Sequence, residues 1–89
     1  MSDSNKLTPM CVVNHFKDNK YLVIGEAVHT ETGEDLVVYR PMDGERKLYV
    51  RPKDMFMSDV DHVKYPDVQQ KERFKYVGML VDVLGAKKD

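Results

Sequence analysis

Apolar and polar positions alternate most regularly between Tyr21 and Thr30. There Tyr21, Val23, Gly25, Ala27 and His29 interleave with Leu22, Ile24, Glu26, Val28 and Thr30. Period-two alternation in a run rich in branched and aromatic residues predicts a β-strand. Its first half is apolar on both sides, which fits a central strand or one that bends round a small closed core. Glu31-Thr32-Gly33-Glu34 follows, and Gly33 is free to take the positive φ of a tight reversal. A second strand is expected from Leu36 to Met42, ending at Asp43-Gly44, a strong hairpin signal. A third occupies Arg46 or Lys47 to Pro52. Three strands joined by two short turns make a meander.

Beyond Pro52, Lys53-Asp54-Met55-Phe56-Met57 is too short for a substantial helix. A proline is tolerated at the start of a helix, so one tight helical turn that tucks Phe56 under the sheet is expected. Val60 to Val63 suggests a short edge strand, broken at Tyr65-Pro66-Asp67, and Gln69 to Glu72 a polar loop or single turn. Phe74 to Val77 alternates as a strand that closes the sheet. The apolar stretch from Met79 to Leu84 is either a further strand or a tail that seeks a partner; Phe74, Val77, Val81 and Leu84 also fall near helical spacing.

The organisation that follows is a disordered segment over residues 1–9, one domain over 10–77, and a C-terminal extension over 78–89. No crossover helices are present for a parallel sheet. The expected fold class is all-β: a small antiparallel SH3-like β-barrel of five to six short strands with one short helical turn. Closure would protect edges that a flat sheet leaves open.

Composition narrows the function classes. A chain of 89 residues holds one core, and such chains bury only about 60–70% of their unfolded surface. Apolar residues at 42% and charged ones at 33% describe a soluble globular chain with a charged skin. Fourteen basic against fifteen acidic side chains give a net charge of −1, which disfavours a general binder of phosphate backbones. The single cysteine, Cys11, excludes an internal disulfide and a four-thiolate zinc site. The polar opening lacks the apolar core of a secretory signal, and no run approaches a membrane span. The chain is read as cytoplasmic and not membrane-bound.

Candidate chemistry centres on the third strand. Alternation puts Lys47, Tyr49 and Arg51 on one face, and Leu48 and Val50 on the other. Leu48 and Val50 are the natural core face, so Tyr49 and Arg51 are expected to point outward, an aromatic plane beside a guanidinium suited to carboxylate or phosphate. Arg40 joins them if the register brings it to the same face. Cross-strand pairing of these arginines with Glu26, Glu34 or Asp35 is the simpler use of the same residues.

The histidines are where acid-base or metal chemistry would start. Cys11 and His15 lie in a run that does not read as a helix. Extended, it separates them by roughly 13 Å, too far to share an ion. His29 precedes the Glu31–Glu34 turn and is expected to brace it. His15 would cap the barrel base, with Phe16 in the core, and His62 would be exposed. No nucleophile elbow, phosphate loop, dinucleotide fingerprint or zinc-protease motif is present. Ser58, Asp59, Asp61 and His62 contain the residue types of a hydrolase triad but sit too close in sequence to meet its geometry.

Several segments in one order resemble the bacterial domain-of-unknown-function 1653 family: His15-Phe16-Lys17, Tyr21, His29-Thr30-Glu31-Thr32-Gly33-Glu34, Val38-Tyr39-Arg40, and Tyr49-Val50-Arg51-Pro52 followed by Met55-Phe56. The resemblance spans roughly Val12 to Val77 and implies no reaction. Two positions depart from it: Asp18 stands where members usually have glycine, and Tyr49 where they often have tryptophan.

The combined reading is a small binding or adaptor module, with Tyr49, Arg51, Arg40 and His29 as candidate ligand-binding residues. No catalytic residue, metal ligand or cofactor is assigned. The expected partner is a protein or a small acidic or planar ligand, with homodimerisation through Met79 to Leu84 open. The alternatives are a small enzyme or enzyme subunit using His29 with a neighbouring carboxylate, and a weak single-stranded nucleic-acid binder using Tyr39, Tyr49, Arg40, Arg46, Lys47, Arg51 and Lys53.

Overall fold

In the computed structural model residues 7–43 and 47–85 are described. Most of the N-terminal segment, Gly44 of the expected Asp43-Gly44 turn, Arg46 at the expected start of the third strand and the last four residues of the extension therefore lie outside the described residues.

Among the described residues there are five strands, all antiparallel to their neighbours: β1 (Cys11–His15), β2 (Asn19–Val28), β3 (Asp35–Pro41), β4 (Tyr49–Pro52) and β5 (Phe74–Met79). Their order across the sheet is β4-β3-β2-β1-β5. The all-β class and the meander are as the alternation predicts. The closed barrel is not formed: among the described residues no pairing joins β4 to β5, and both remain edges. Instead the sheet curls until side chains from its two ends meet.

The core is built on the face shared by Cys11, Val13, Val23, Val37, Tyr39 and Phe74, and Phe56 fills it from α1 (Lys53–Phe56). Phe56 is 1% exposed, so the expected helical turn does tuck it under the sheet. Phe56 and Phe74 stack face to face at 4.1 Å, and Tyr39 meets both edge-on at 5.2 and 5.6 Å. Three rings in such contact add to the area they bury and hold the curl together.

Register reverses one expectation. Tyr39 pairs with Tyr49 and Val37 with Arg51, and directly opposed residues share a face. Because Val37 and Tyr39 belong to the core, Tyr49 and Arg51 lie on the inner side of the sheet. Leu48 and Val50, expected inside, are each 59% exposed. The inner volume is already taken by Tyr39, Phe56 and Phe74, which leaves no room there for β4's aliphatics.

A second reversal lies in β2. The β2–β3 register shifts between Val23 and Gly25, so Ile24 is a bulge residue. Before it Tyr21 and Val23 face inward; after it Glu26, paired with Val37, takes the inner side. The unbroken alternation from Tyr21 to Thr30 is thus two half-strands of opposite phase.

The segment expected as an edge strand, Val60 to Val63, is a turn-rich loop with a single bridge, Asp59 to Glu72. It is tied to the sheet by Phe16 N–H to Arg73 O (2.9 Å), Arg73 N–H to Ser58 O (3.0 Å) and Gln70 Nε2 to Asn14 O (2.9 Å). β5 continues through Gly78 to Met79, and Leu80–Gly85 then forms a short helix, α2, neither strand nor tail. Val81 and Leu84 on it are exposed and, with Met10 and Met79, border an apolar groove. Among the described residues no helix is long and apolar enough to cross a membrane.

Candidate functional site

The inner face carries more than a core. At its open side, His15, Tyr21, Tyr39, Tyr49, Arg51 and Phe74 come from all five strands. His15 pairs with Phe74 across the β1–β5 ladder, and its ring lies 4.9 Å from Phe74 and 6.3 Å from Tyr21. Tyr21 meets Tyr39 at 5.4 Å, and Tyr39 meets Tyr49 at 6.0 Å. His15 continues the row outward to Phe16 at 4.5 Å, and Phe16 to Tyr65 at 4.9 Å. Phe16, expected in the core, is half-buried at this outer end.

Arg51 crosses the row. Its Nε donates to the Tyr39 hydroxyl at 3.3 Å, and its guanidinium carbon lies 5.6 Å from the Phe74 ring centroid. The half-buried side chain runs along apolar surface and keeps its charged end at the face. The expected cross-strand ion pairs do not form. Among the described residues the ion pair is Lys53 Nζ to Glu26 Oε1 at 3.1 Å, and Arg51 has no carboxylate partner there.

His15 sits under these charges. Burial pushes its imidazole below the ordinary pKa near 6.5, and the charges of Arg51, Lys17 and Arg73 push it in the same direction. Its Nδ1 accepts the Lys17 backbone N–H at 3.1 Å, which in the neutral ring leaves the proton on Nε2. Sequence reasoning missed His15 as a site residue. The signal available was its spacing from Val13 and Cys11, which puts all three on one face of an extended strand.

The other candidates fall apart from this cluster. Arg40 pairs with Leu22 and so projects to the opposite face from Tyr39, and its Nε is buried without a hydrogen-bond partner. His29 braces the β2–β3 turn: its Nδ1 accepts N–H groups from Glu31 (3.2 Å) and Thr32 (3.4 Å). Tyr49 and Arg51 are therefore brought together, while Arg40 and His29 join neither.

The residue types of a triad do not assemble. The Ser58 hydroxyl donates to Met55 O at 2.6 Å and accepts from Arg73 Nε at 3.0 Å; His62 Nε2 faces Gln70 O at 3.2 Å. Cys11 is buried at the end of β1 away from His15. Among the described residues no three His, Cys, Asp or Glu side chains gather to hold a metal ion.

The inner face thus offers a fixed guanidinium, a neutral imidazole and aromatic walls. A cavity of about 580 Å³ lies beside it, lined by Asp18, Lys20, Tyr21, Pro41 and Asp43 and not by Arg51 or His15. On the cationic face Tyr49 and Lys17 are exposed, and Arg51 and His15 are half-buried.

A family model described as Protein of unknown function (DUF1653) matches residues 12–76. A solved crystal structure of a protein from Bordetella bronchiseptica, belonging to the same family, is similar to this chain at 29% identity and a TM-score of 0.68, covering 83% of this chain and 91% of that one. Among curated proteins none matches. The matched residues run from β1 into β5 and take in His15, Tyr21, Tyr39, Tyr49, Arg51 and Phe74; the chain belongs to the DUF1653 family of proteins of unknown function.

Proposed function

We propose that this domain is a small binding module that takes a planar, anionic ligand on its inner face, with Arg51 as the charged contact, His15 beside it, and Tyr49 and Tyr21 as flanking rings. The observation that carries this reading is an arginine held in place by a tyrosine hydroxyl and an aromatic ring but given no carboxylate among the described residues. A guanidinium with its planar fork positioned in advance loses little freedom on meeting a carboxylate or phosphate. Ring faces on either side favour a ligand with a flat apolar part. Arg40 and His29 have no part in this reading.

The test is a titration followed by two-dimensional NMR, with benzoate, a nucleoside monophosphate and inorganic phosphate as probes. Saturable shifts at His15, Tyr49 and Arg51 with the two planar anions, abolished in Arg51→Ala, are expected. Absence of any saturable shift at these residues, or shifts unchanged in Arg51→Ala, would overturn the proposal.

A further inference from the structure

The row of rings extends past the site just proposed. From Tyr49 through Tyr39, Tyr21 and His15 it reaches Phe16 and Tyr65, each ring 4.5–6.3 Å from the next. Within it Tyr39 is 6% exposed, whereas Tyr49 is 37% exposed and Tyr21, His15, Phe16 and Tyr65 are half-buried. Cations accompany the row. Arg51 and Arg73 act on His15 at its centre, and Lys17 Nζ lies 5.9 Å from the Phe16 centroid and 5.7 Å from that of Tyr65. Lys64 Nζ approaches Tyr65 at 5.6 Å. Among the described residues none of these four cations has a carboxylate partner. In the Tyr65 loop Asp61 spends Oδ1 on the N–H groups of Val63 and Lys64.

Resting on the reading of the inner face as an anion site, we infer that its ligand is single-stranded nucleic acid, with bases stacking at the Phe16–Tyr65 and Tyr49 ends and phosphates meeting Arg51, Arg73, Lys17 and Lys64. A single small planar anion would engage Arg51 and leave the Phe16–Tyr65 end and its two lysines without a role. A linear polyanion that carries a flat group at every unit matches alternating rings and cations along an open face. The chain's net charge of −1 describes the whole molecule. Backbone contact is governed by the cations that accompany the row, and such contact is sequence-tolerant.

The experiment is fluorescence anisotropy of a fluorescein-labelled ten-nucleotide oligo(dT), titrated with the full chain at about 50 and about 200 mM salt. Four neutralised phosphates on a single strand imply a fall in affinity of roughly 50-fold between the two conditions. The double variant Lys17→Ala/Lys64→Ala, altered only at exposed side chains, is expected to cut the salt dependence by about half. It leaves benzoate-induced shifts at Arg51 unchanged. If the planar monoanion binds at Arg51 but the oligonucleotide does not bind at low salt, the nucleic-acid inference falls and the module reading stands. If neither binds, both fall. Equal competition by a duplex of the same length also overturns the inference, because paired bases cannot stack on these rings.

Discussion

Arg51 on β4 and Phe74 on β5 occupy opposite edges of the sheet, yet the guanidinium carbon lies 5.6 Å from the ring centroid. No backbone ladder joins these edges among the described residues; a cation over an aromatic face spans the gap, with the Tyr39 hydroxyl steadying the guanidinium from below. The same arginine is the charged contact of the proposed site. Binding and curvature are therefore linked through one side chain.

Arg51→Ala is accordingly expected to cost stability as well as ligand binding. Loss of the contact with Phe74 and of the Tyr39 bond amounts to about 1–2 kcal/mol. Arg51→Lys keeps the charge but not the planar fork, so it recovers part of the stability and little of the binding. Urea unfolding of the three proteins checks the first statement. An unchanged midpoint in Arg51→Ala would remove Arg51 from the account of the fold.

Val50 on the outer face of β4 and Leu48 just before the strand are each 59% exposed. Leu48→Lys and Val50→Lys should each change stability by no more than about 0.5 kcal/mol, as surface substitutions do. Were these the core residues that alternation suggests, the loss would be about 2 kcal/mol or more. Thermal and urea melts separate the two outcomes.

His15 makes the fold sensitive to pH. Its imidazole is depressed below the ordinary 6.5 in the folded protein, by burial first and then by Arg51, Lys17 and Arg73. In the interval from 6.5 down to the folded value, the unfolded chain binds more protons than the native one, so stability rises with pH there. Acidification from pH 7 toward 5 weakens the fold, and below the folded value the loss is complete. His15→Gln should flatten this slope, with the carboxylates contributing alike to both proteins. Arg51→Ala should move the His15 midpoint upward in an NMR titration. Identical pH slopes for the parent and His15→Gln would refute the assignment.

Asp18 has φ +72°, in the left-handed region that glycine adopts without strain. It follows the His15-Phe16-Lys17 run, and its N–H donates to His15 O at 2.6 Å to close the β1–β2 turn. Asp18→Gly should raise stability by about 0.5–1 kcal/mol, and Asp18→Val should lower it by about 1 kcal/mol or more. Chemical denaturation of both variants measures the difference. A destabilised glycine variant would show that the aspartate side chain outweighs the backbone strain.

Local signals identified β2, β3, the strand at Phe74 and the helical turn that buries Phe56, because each rests on periodicity or on a proline within a few residues. Cys11–His15 was legible only as an extended run: five residues carry too few alternations to distinguish a strand from a loop. The loop at Val60–Val63 and helix α2 depend on contacts made elsewhere, the loop on Arg73 and Gln70, the helix on the bond from Leu80 N–H to Met10 O at 2.8 Å. Of the candidate site, the pairing of Tyr49 with Arg51 was readable, since alternate residues of a strand share a face whatever surrounds them.

Which face turns inward was not readable from the strand. Alternation divides residues 48–51 into Tyr49 with Arg51 and Leu48 with Val50, and it is symmetric between the two sets. The sequence by itself determined that division, the all-β class and the family. The tertiary structure decided the direction: the Tyr39–Tyr49 register and the Ile24 bulge set the phases, and Phe56 and Phe74, from outside the meander, filled the inner volume. Burial is a property of what packs against a strand. Side chains remote in sequence therefore placed Arg51 inside the curl and brought His15 beside it.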